Sequence, residues 1–441
     1  MSKRSLGTWL AMSSGLFLAL AVSSAFAESH VRIVRLSEVQ GTVQVDRGSG
    51  QGYEKAFLNM PVVQDMKVAT KGDGRAEVEF EDGSTLRLTS DTTVAFSTLS
   101  LQDSGARVSN LTLLQGLAYV DYAAKHKDDT FTLAFQNEKI QPKEAARFRV
   151  DLEDTNAAVA VFNGEVKING PSGEVELSKS RTATFDFAAE DKYTIAKNIE
   201  QNPFDAWDKQ QSKYQREYAS KGSYNDYPYG YGVSDLNYYG NYYNIPGYGM
   251  MWQPYFAGAG WDPFAYGSWK FYPGFGYTWV SGYPWGWMPF RYGSWNFVPG
   301  YGWMWAPGGF GTWYPVPVLT NPPQRYKPPV PPASGTATVT VRQPTATSSV
   351  PRRLTIANGS AGIGVPRGSV NNLARFSHEA LQNGSVTVHP SAPVRSGMAM
   401  PGPSTGVGPV STGASHTNTG APRTSTGGRV SLGGHTSAPH R

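Results

Sequence analysis

Ala76-Glu77-Val78-Glu79-Phe80, then Asp82-Gly83, then Thr85-Leu86-Arg87-Leu88 is the stretch that decides the fold class. Its apolar residues recur with period two, which puts Ala76, Val78 and Phe80 on one face of a strand and two carboxylates on the other. Asp82-Gly83 supplies the tight turn of a hairpin. The same pattern extends outward. Ala146-Arg147-Phe148-Arg149-Val150-Asp151-Leu152 alternates without a fault, and Val159–Phe162 and Val166–Ile168 flank a second turn at Asn163-Gly164. Gly41–Val45 and Leu117–Val120 add two more strands. Residues 30–190 therefore read as an all-β domain of many short strands. The charged residues that alternate along these strands are expected to face water.

The order of these residues carries a resemblance. Gly41-x-Val43, Lys71-Gly72-x-Gly74-Arg75-Ala76-Glu77-Val78-x-Phe80-x-Asp82-Gly83-Ser84-x-Leu86-x-Leu88, Gln115-Gly116-Leu117-Ala118-Tyr119, Ala146-Arg147-Phe148-x-Val150 and Val161-x-x-Gly164-x-Val166 together resemble a FecR domain, over about Ser37 to Phe187. Members of that family include regulators of iron-uptake sigma factors, which cross the inner membrane and relay a signal from an outer-membrane transporter. The resemblance thus implies a periplasmic β-domain. This chain departs from those regulators at its start, where they carry a cytoplasmic anti-sigma segment and a membrane anchor.

That start has the three regions of a secretory signal: Lys3 and Arg4, an apolar stretch from about Leu6 to Val22, and small residues ending in Ala25-Phe26-Ala27. Cleavage is expected before Glu28, with Ala25 and Ala27 as the recognised small residues. Nothing later approaches membrane-spanning length. The expected location is exported: periplasmic, outer-membrane-associated or secreted. The chain has no cysteine, which removes disulfides, thiolate metal sites, a cysteine nucleophile and a lipoprotein anchor.

Beyond the β-domain, Phe204, Trp207, Gln211, Tyr214 and Tyr218 recur at helical spacing, so residues 203–221 read as one amphipathic connecting helix. Residues 224–314 then hold 17 Tyr, 10 Trp and 7 Phe. Tyr266-Gly267-Ser268-Trp269 with Pro273-Gly274-Phe275-Gly276 and Trp279 returns 26 residues later as Tyr292-Gly293-Ser294-Trp295 with Pro299-Gly300-Tyr301-Gly302 and Trp305. A diverged copy, Tyr239-Gly240-Asn241-Tyr242 with Pro246-Gly247-Tyr248-Gly249 and Trp252, lies 27 residues earlier. Equal spacing predicts aromatic β-hairpin-like repeats that stack on one another, turning at Pro-Gly. Through Tyr231–Leu236, Trp285–Trp295 and Gly302–Gly308 this segment resembles a domain of unknown function that follows FecR domains in other exported bacterial proteins. From 320 to 441 the chain is rich in Pro, Ser, Thr and Gly and reads as a disordered basic tail, with a brief helix at Asn371–Leu381 as the one exception.

The chain's net charge of +5 divides unevenly: residues 321–441 hold +10, and residues 28–320 hold −7. The acidic body opposes phosphate, so no nucleic acid is expected as a partner. The basic tail suits an anionic envelope surface. No cofactor and no metal site is expected, because the seven His are scattered and no Gly-rich run has the Lys-Ser or Lys-Thr of a phosphate loop. Asp235 with Asp262 is the one notable carboxylate pair in the aromatic segment, and its spacing has no specificity for hydrolysis. Asp235 reads as a turn or capping residue. The expectation is a protein that is not an enzyme. Its flat rings could stack on sugars, or sit at a protein interface, or form the core of the repeats. Trp269, Trp279, Trp295 and Trp305, with Tyr266 and Tyr292, are the candidate ligand-binding residues. The expected role is a binding or scaffold protein for polysaccharide, peptidoglycan or a protein partner. A FecR-type signalling component is the alternative, and a carboxylate-dependent hydrolase the third.

Overall fold

Strand Arg107–Tyr122 is the spine of the β-domain. At Gly116 its backbone takes φ +84°, and a Cβ there would lie 2.6 Å from Thr92 Oγ1, so glycine lets the strand bend. Before the bend it pairs with Thr93–Leu101 and, in parallel, with Thr130–Phe135. After the bend it pairs with Thr85–Leu88 and Ala146–Leu152. Two sheets thus diverge from one strand. The first continues through Lys67–Thr70 and Val43–Asp46 on one side and Glu138–Pro142, Glu165–Gly170 and Gly173–Ser178 on the other. The second continues through Arg75–Glu79 and Val34–Gln40 on one side and Asn156–Asn163, Arg181–Asp186 and Lys192–Ala196 on the other. Their apolar faces merge into one buried cluster that includes Leu36, Val78, Phe96, Leu111, Phe148 and Val150. Each such side chain stabilises the fold by about 1.5–3 kcal/mol relative to exposure.

This architecture belongs to a computed structural model that describes residues 32–171, 173–189, 192–222, 224, 227–273, 276–311, 313–333, 340–341 and 352–391. The expected export signal, with Ala25 and Ala27, and the basic residues past 391 lie outside the described residues. The all-β expectation holds: strands dominate, and among the described residues three α-helices join them, α1 (Asp205–Ala219), α2 (Val233–Tyr239) and α3 (Leu373–Asn383).

Each aromatic repeat is a hairpin. Gly240–Ile245 pairs with Gly249–Pro254, Gly267–Tyr272 with Gly276–Ser281, and Ser294–Val298 with Gly302–Ala306. The repeat extends to register, because Tyr242 faces Trp252, Trp269 faces Trp279 and Trp295 faces Trp305. Glycine opens each hairpin for a steric reason. A Cβ on Gly240 or Gly267 would lie 2.3 Å from Cζ2 of Trp252 or Trp279, and one on Gly293 would lie 2.8 Å from Nε1 of Trp305. The first and third hairpins share a five-stranded sheet, joined at Trp252 and Trp305. The middle hairpin leans on the β-domain, placing Tyr272 and Val280 in that domain's core.

Part of the expected disordered tail is instead structural. Leu354–Ala357 and Ser385–Val388 pair as a hairpin around α3, which forms close to where a brief helix was expected. Ile356, Ala361, Val365, Val370, Leu373 and Ala380 enter the aromatic core. Composition suggested disorder because these apolar residues are too few to build a core of their own. They complete one that already exists, and Trp285 Nε1 donates to Ala361 O at 2.8 Å.

Candidate functional site

The outer face of the second sheet holds two rows of polar residues set by register. One row is Arg35, Glu79, Thr85, Asp121 and Arg147; the other is Glu77, Arg87, Tyr119 and Arg149. These residues were expected to face water. They are covered by α1, α2 and the loop carrying Arg367, and Arg35, Glu77, Glu79 and Arg87 are at most 1% exposed. Ion pairs explain how charge can be buried here. Arg87 bridges Glu77 at 2.8 Å and Asp208 of α1 at 2.7 Å. Arg147 reaches Asp208 and Arg149 reaches Asp205, each at 2.7 Å. Arg35 bridges Glu79 at 3.1 Å and Asp235 of α2 at 2.6 Å. Arg367 closes the network on Asp235 at 2.6 Å and Glu77 at 2.8 Å.

Burial and charge divide the carboxyls. Burial would push Glu77 up, but the guanidinium groups of Arg87 and Arg367 and the Ser37 hydroxyl outweigh it and hold the group down at about 2. Glu79 is pushed up to about 7 by burial, only partly offset by Arg35 and reinforced by Asp235. Glu38, beside Glu77, is pushed up to about 7 by burial and by its neighbour's charge. Its Oε1 accepts from Gln40 and from Gln211 of α1, while Oε2 has no partner among the described residues.

A cleft of about 420 Å³ opens beside this face between the Asp82-Gly83 turn, Ser212, Gln215 and Arg216 of α1, and Tyr224, Tyr227, Tyr229 and Gly230. Its floor includes Thr85, Arg87, Asp121 and Ser212; Tyr227 and Tyr229 stand in its wall. Thr85 Oγ1, Arg87 Nη2 and the Tyr227 hydroxyl are all buried without a hydrogen-bond partner among the described residues.

The profile of the FecR protein family matches residues 66–167, and that of a family of unknown function, DUF6600, matches residues 233–331. The chain carries a FecR domain followed by a DUF6600 domain. No curated protein matches. Two crystal structures described as anti-sigma-factor candidates from Parabacteroides distasonis are similar at 18% and 15% identity, each with a TM-score of 0.27. They cover 32% and 37% of this chain, which in turn spans 63% and 82% of theirs. The FecR match contains Glu77, Glu79, Thr85, Arg87, Asp121, Arg147 and Arg149, and the DUF6600 match contains Asp235. Arg35 precedes both matches, helix α1 lies between them and Arg367 beyond both, so the site is assembled from five parts of the chain.

The candidate ring platform is corrected by burial. Trp269, Trp279, Trp295 and Trp305 are each 0% exposed, and Tyr292 is buried with its hydroxyl 2.9 Å from that of Tyr231. Each Trp packs across its own hairpin or into the neighbouring ring cluster, so these rings are core and offer no face to a ligand. Tyr266 differs: it is half-buried, edge-on to Tyr283, and lines a separate cleft with Trp261 and Asp262. Asp235 is no turn residue; it lies in the first turn of α2, fully buried between Arg35 and Arg367, and accepts from Tyr214 at 2.8 Å. Asp262 accepts from the Tyr326 hydroxyl at 2.6 Å and from the Phe264 amide at 2.8 Å. The cleft residues were missed because each is unremarkable alone. A signal did exist: Asp205 and Asp208 share a face of α1 and complement Arg87, Arg147 and Arg149, which share a face of the sheet.

Proposed function

We propose that this chain is a non-catalytic sensing component of a bacterial cell envelope, in which the FecR domain and the DUF6600 domain act as one unit and respond to what occupies the cleft at their junction. The observation that carries the reading is the burial of the FecR domain's charged strand face under α1, α2 and Arg367, with a cleft opening beside that same network. Arg87, among the cleft's lining residues, pairs with Glu77 of the FecR domain and with Asp208 of α1, so occupancy can bias the junction only through contacts that differ between its states. The FecR match favours signalling over the scaffold role. The carboxylates considered for hydrolysis, Asp235 and Asp262, are engaged by Arg35, Arg367 and Tyr326.

Deleting the coding sequence in the host and comparing transcripts tests this. A change confined to the genes of one alternative sigma factor, restored by the full chain, supports sensing. Unchanged transcripts with altered surface polysaccharide or envelope integrity would replace it with the scaffold reading. Export belongs to the proposal too: the mature chain recovered from the envelope should begin at Glu28, and an N-terminus at Met1 would remove the periplasmic part.

A further inference from the structure

The cleft that Tyr266 lines has a volume of about 470 Å³, within the range of small-molecule sites, and shares no lining residue with the junction cleft. One wall is the loop from Gly258 to Tyr266, between the first and middle hairpins; the other is Asn358-Gly359, from the late segment. Both walls are fixed from behind. Trp261 Nε1 donates to the Tyr283 hydroxyl at 2.9 Å, and that hydroxyl donates to Asp262 O at 3.0 Å. Asn358 N donates to Gly384 O at 2.9 Å and Gly359 N to Phe256 O at 2.7 Å. Walls already held in place do not have to be ordered by what binds between them, which lowers the cost of binding.

The polar groups of this cleft are open to solvent, unlike the indoles of the hairpins. Asp262, Tyr266 and Asn358 are each half-buried. Asp262 accepts both of its hydrogen bonds, from Tyr326 and from the Phe264 amide, on Oδ1, which fixes the carboxylate and leaves Oδ2 for a ligand. The Asn358 amide lies over Gly258, its Oδ1 only 3.0 Å from where a Cβ would stand. Gly260 has no atom within 4 Å of an added Cβ, so open space lies in front of it. Asp262 is the one charged residue in the lining, so an anion is repelled. A cation would satisfy the carboxylate but offer no acceptor to the Asn358 amide or the Tyr266 hydroxyl. Hydroxyl groups donate to the first and accept from the others, and the Tyr266 ring suits the C–H face of a pyranose. We infer that this cleft binds a neutral saccharide, with Asp262 and Asn358 as its polar contacts and Tyr266 as its stacking ring. The site goes beyond the sensing reading, because it lies away from the junction residues on which that reading rests.

The test is calorimetric titration of the full chain with cellobiose, maltose and N,N′-diacetylchitobiose, with galacturonate, choline and alanyl-alanine as comparisons. Gly260→Leu puts a side chain into the open space of the cleft, and Asn358→Ala removes the amide while leaving the backbone bond to Gly384 in place. Both variants should melt like the wild type. Saturable binding of at least one of the neutral disaccharides, weakened roughly fivefold or more by Asn358→Ala and lost in Gly260→Leu, is the expected result. The inference is overturned if none of the three saturates, if both variants bind like the wild type, or if galacturonate, choline or the dipeptide binds in preference. Saccharide binding with unchanged transcripts in the deletion strain would keep this site and remove the sensing role. A transcript response without saccharide binding would do the reverse.

Discussion

At the scale of the residue, Glu38 shows how far burial can move a group that looks ordinary in sequence. Its carboxyl titrates at about 7 in the fold, against an ordinary value of 4.5. Facing it are Glu77, which raises it, and Arg367, Arg75 and Arg87, which lower it. A carboxyl whose folded value is raised holds its proton after the unfolded chain has released its own. Stability is therefore lost as pH rises from about 4.5 to about 7 and is constant above. Glu79 adds a loss of the same sign, whereas Glu77, held at about 2, loses its contribution as pH falls below about 4.5. The melting temperature should therefore fall between pH 5 and pH 8, and Glu38→Gln should flatten that fall and melt higher than wild type at pH 8. A variant with the wild-type slope would show that Glu38 is not the titrating group. Arg367 is the opposite case. Arg367→Met leaves Glu77 and Asp235 buried with one partner fewer, and should cost about 3–5 kcal/mol in denaturant unfolding. Nothing in the local sequence marks Arg367 out, because its partners are 290 and 132 residues away.

Among the elements, the aromatic hairpins were the most legible, and what their rings do was the least. Spacing alone located three hairpin-like units, and the structure pairs the strands of each at matching register. Period and spacing cannot report exposure, since a ring packed against its partner and a ring offered to solvent are written alike. Glycine held the missing information. The absence of a Cβ at Gly240 and Gly267 lets an indole lie against the backbone, which makes each Trp a core residue. Gly267→Ala should therefore overpack Trp279 and cost about 1–3 kcal/mol, while Gly260→Ala, with no atom within 4 Å of the added carbon, should melt like wild type. Trp279→Ala should cost about 3–5 kcal/mol, and any loss of saccharide binding should track unfolding. The strands of the FecR domain were legible for a different reason: alternation separated the core face from the other face. It could not tell whether the other face met water or α1.

Across the whole molecule, the apolar core of the FecR domain and the ring core of the DUF6600 domain are held together by ion pairs, by a late segment of chain and by Tyr272 and Val280, which enter the FecR domain's core. Residues 352–391 supply both Arg367 and the Ala361 carbonyl that receives Trp285. A chain truncated after residue 320 should consequently melt at least roughly 6 °C below one truncated after residue 391. Equal melting temperatures would mean that the late segment adds nothing to the body. Composition hid this, because Gly, Pro and Ser around the few apolar residues describe a segment that folds on a surface provided by the rest.

The charged junction also has a consequence for descent. Two domains joined through apolar area can be exchanged among relatives as long as shape is kept, since oil matches oil. A junction written in ion pairs is closer to a lock, in which positions 77, 87, 208, 235 and 367 are letters of one word spread over 291 residues. Transplanting this FecR domain beneath a foreign DUF6600 domain would strand carboxylates or guanidinium groups unless the whole set moves together. The ion-pair set thus ties the two domains to each other and to a helix and a loop that neither family profile contains.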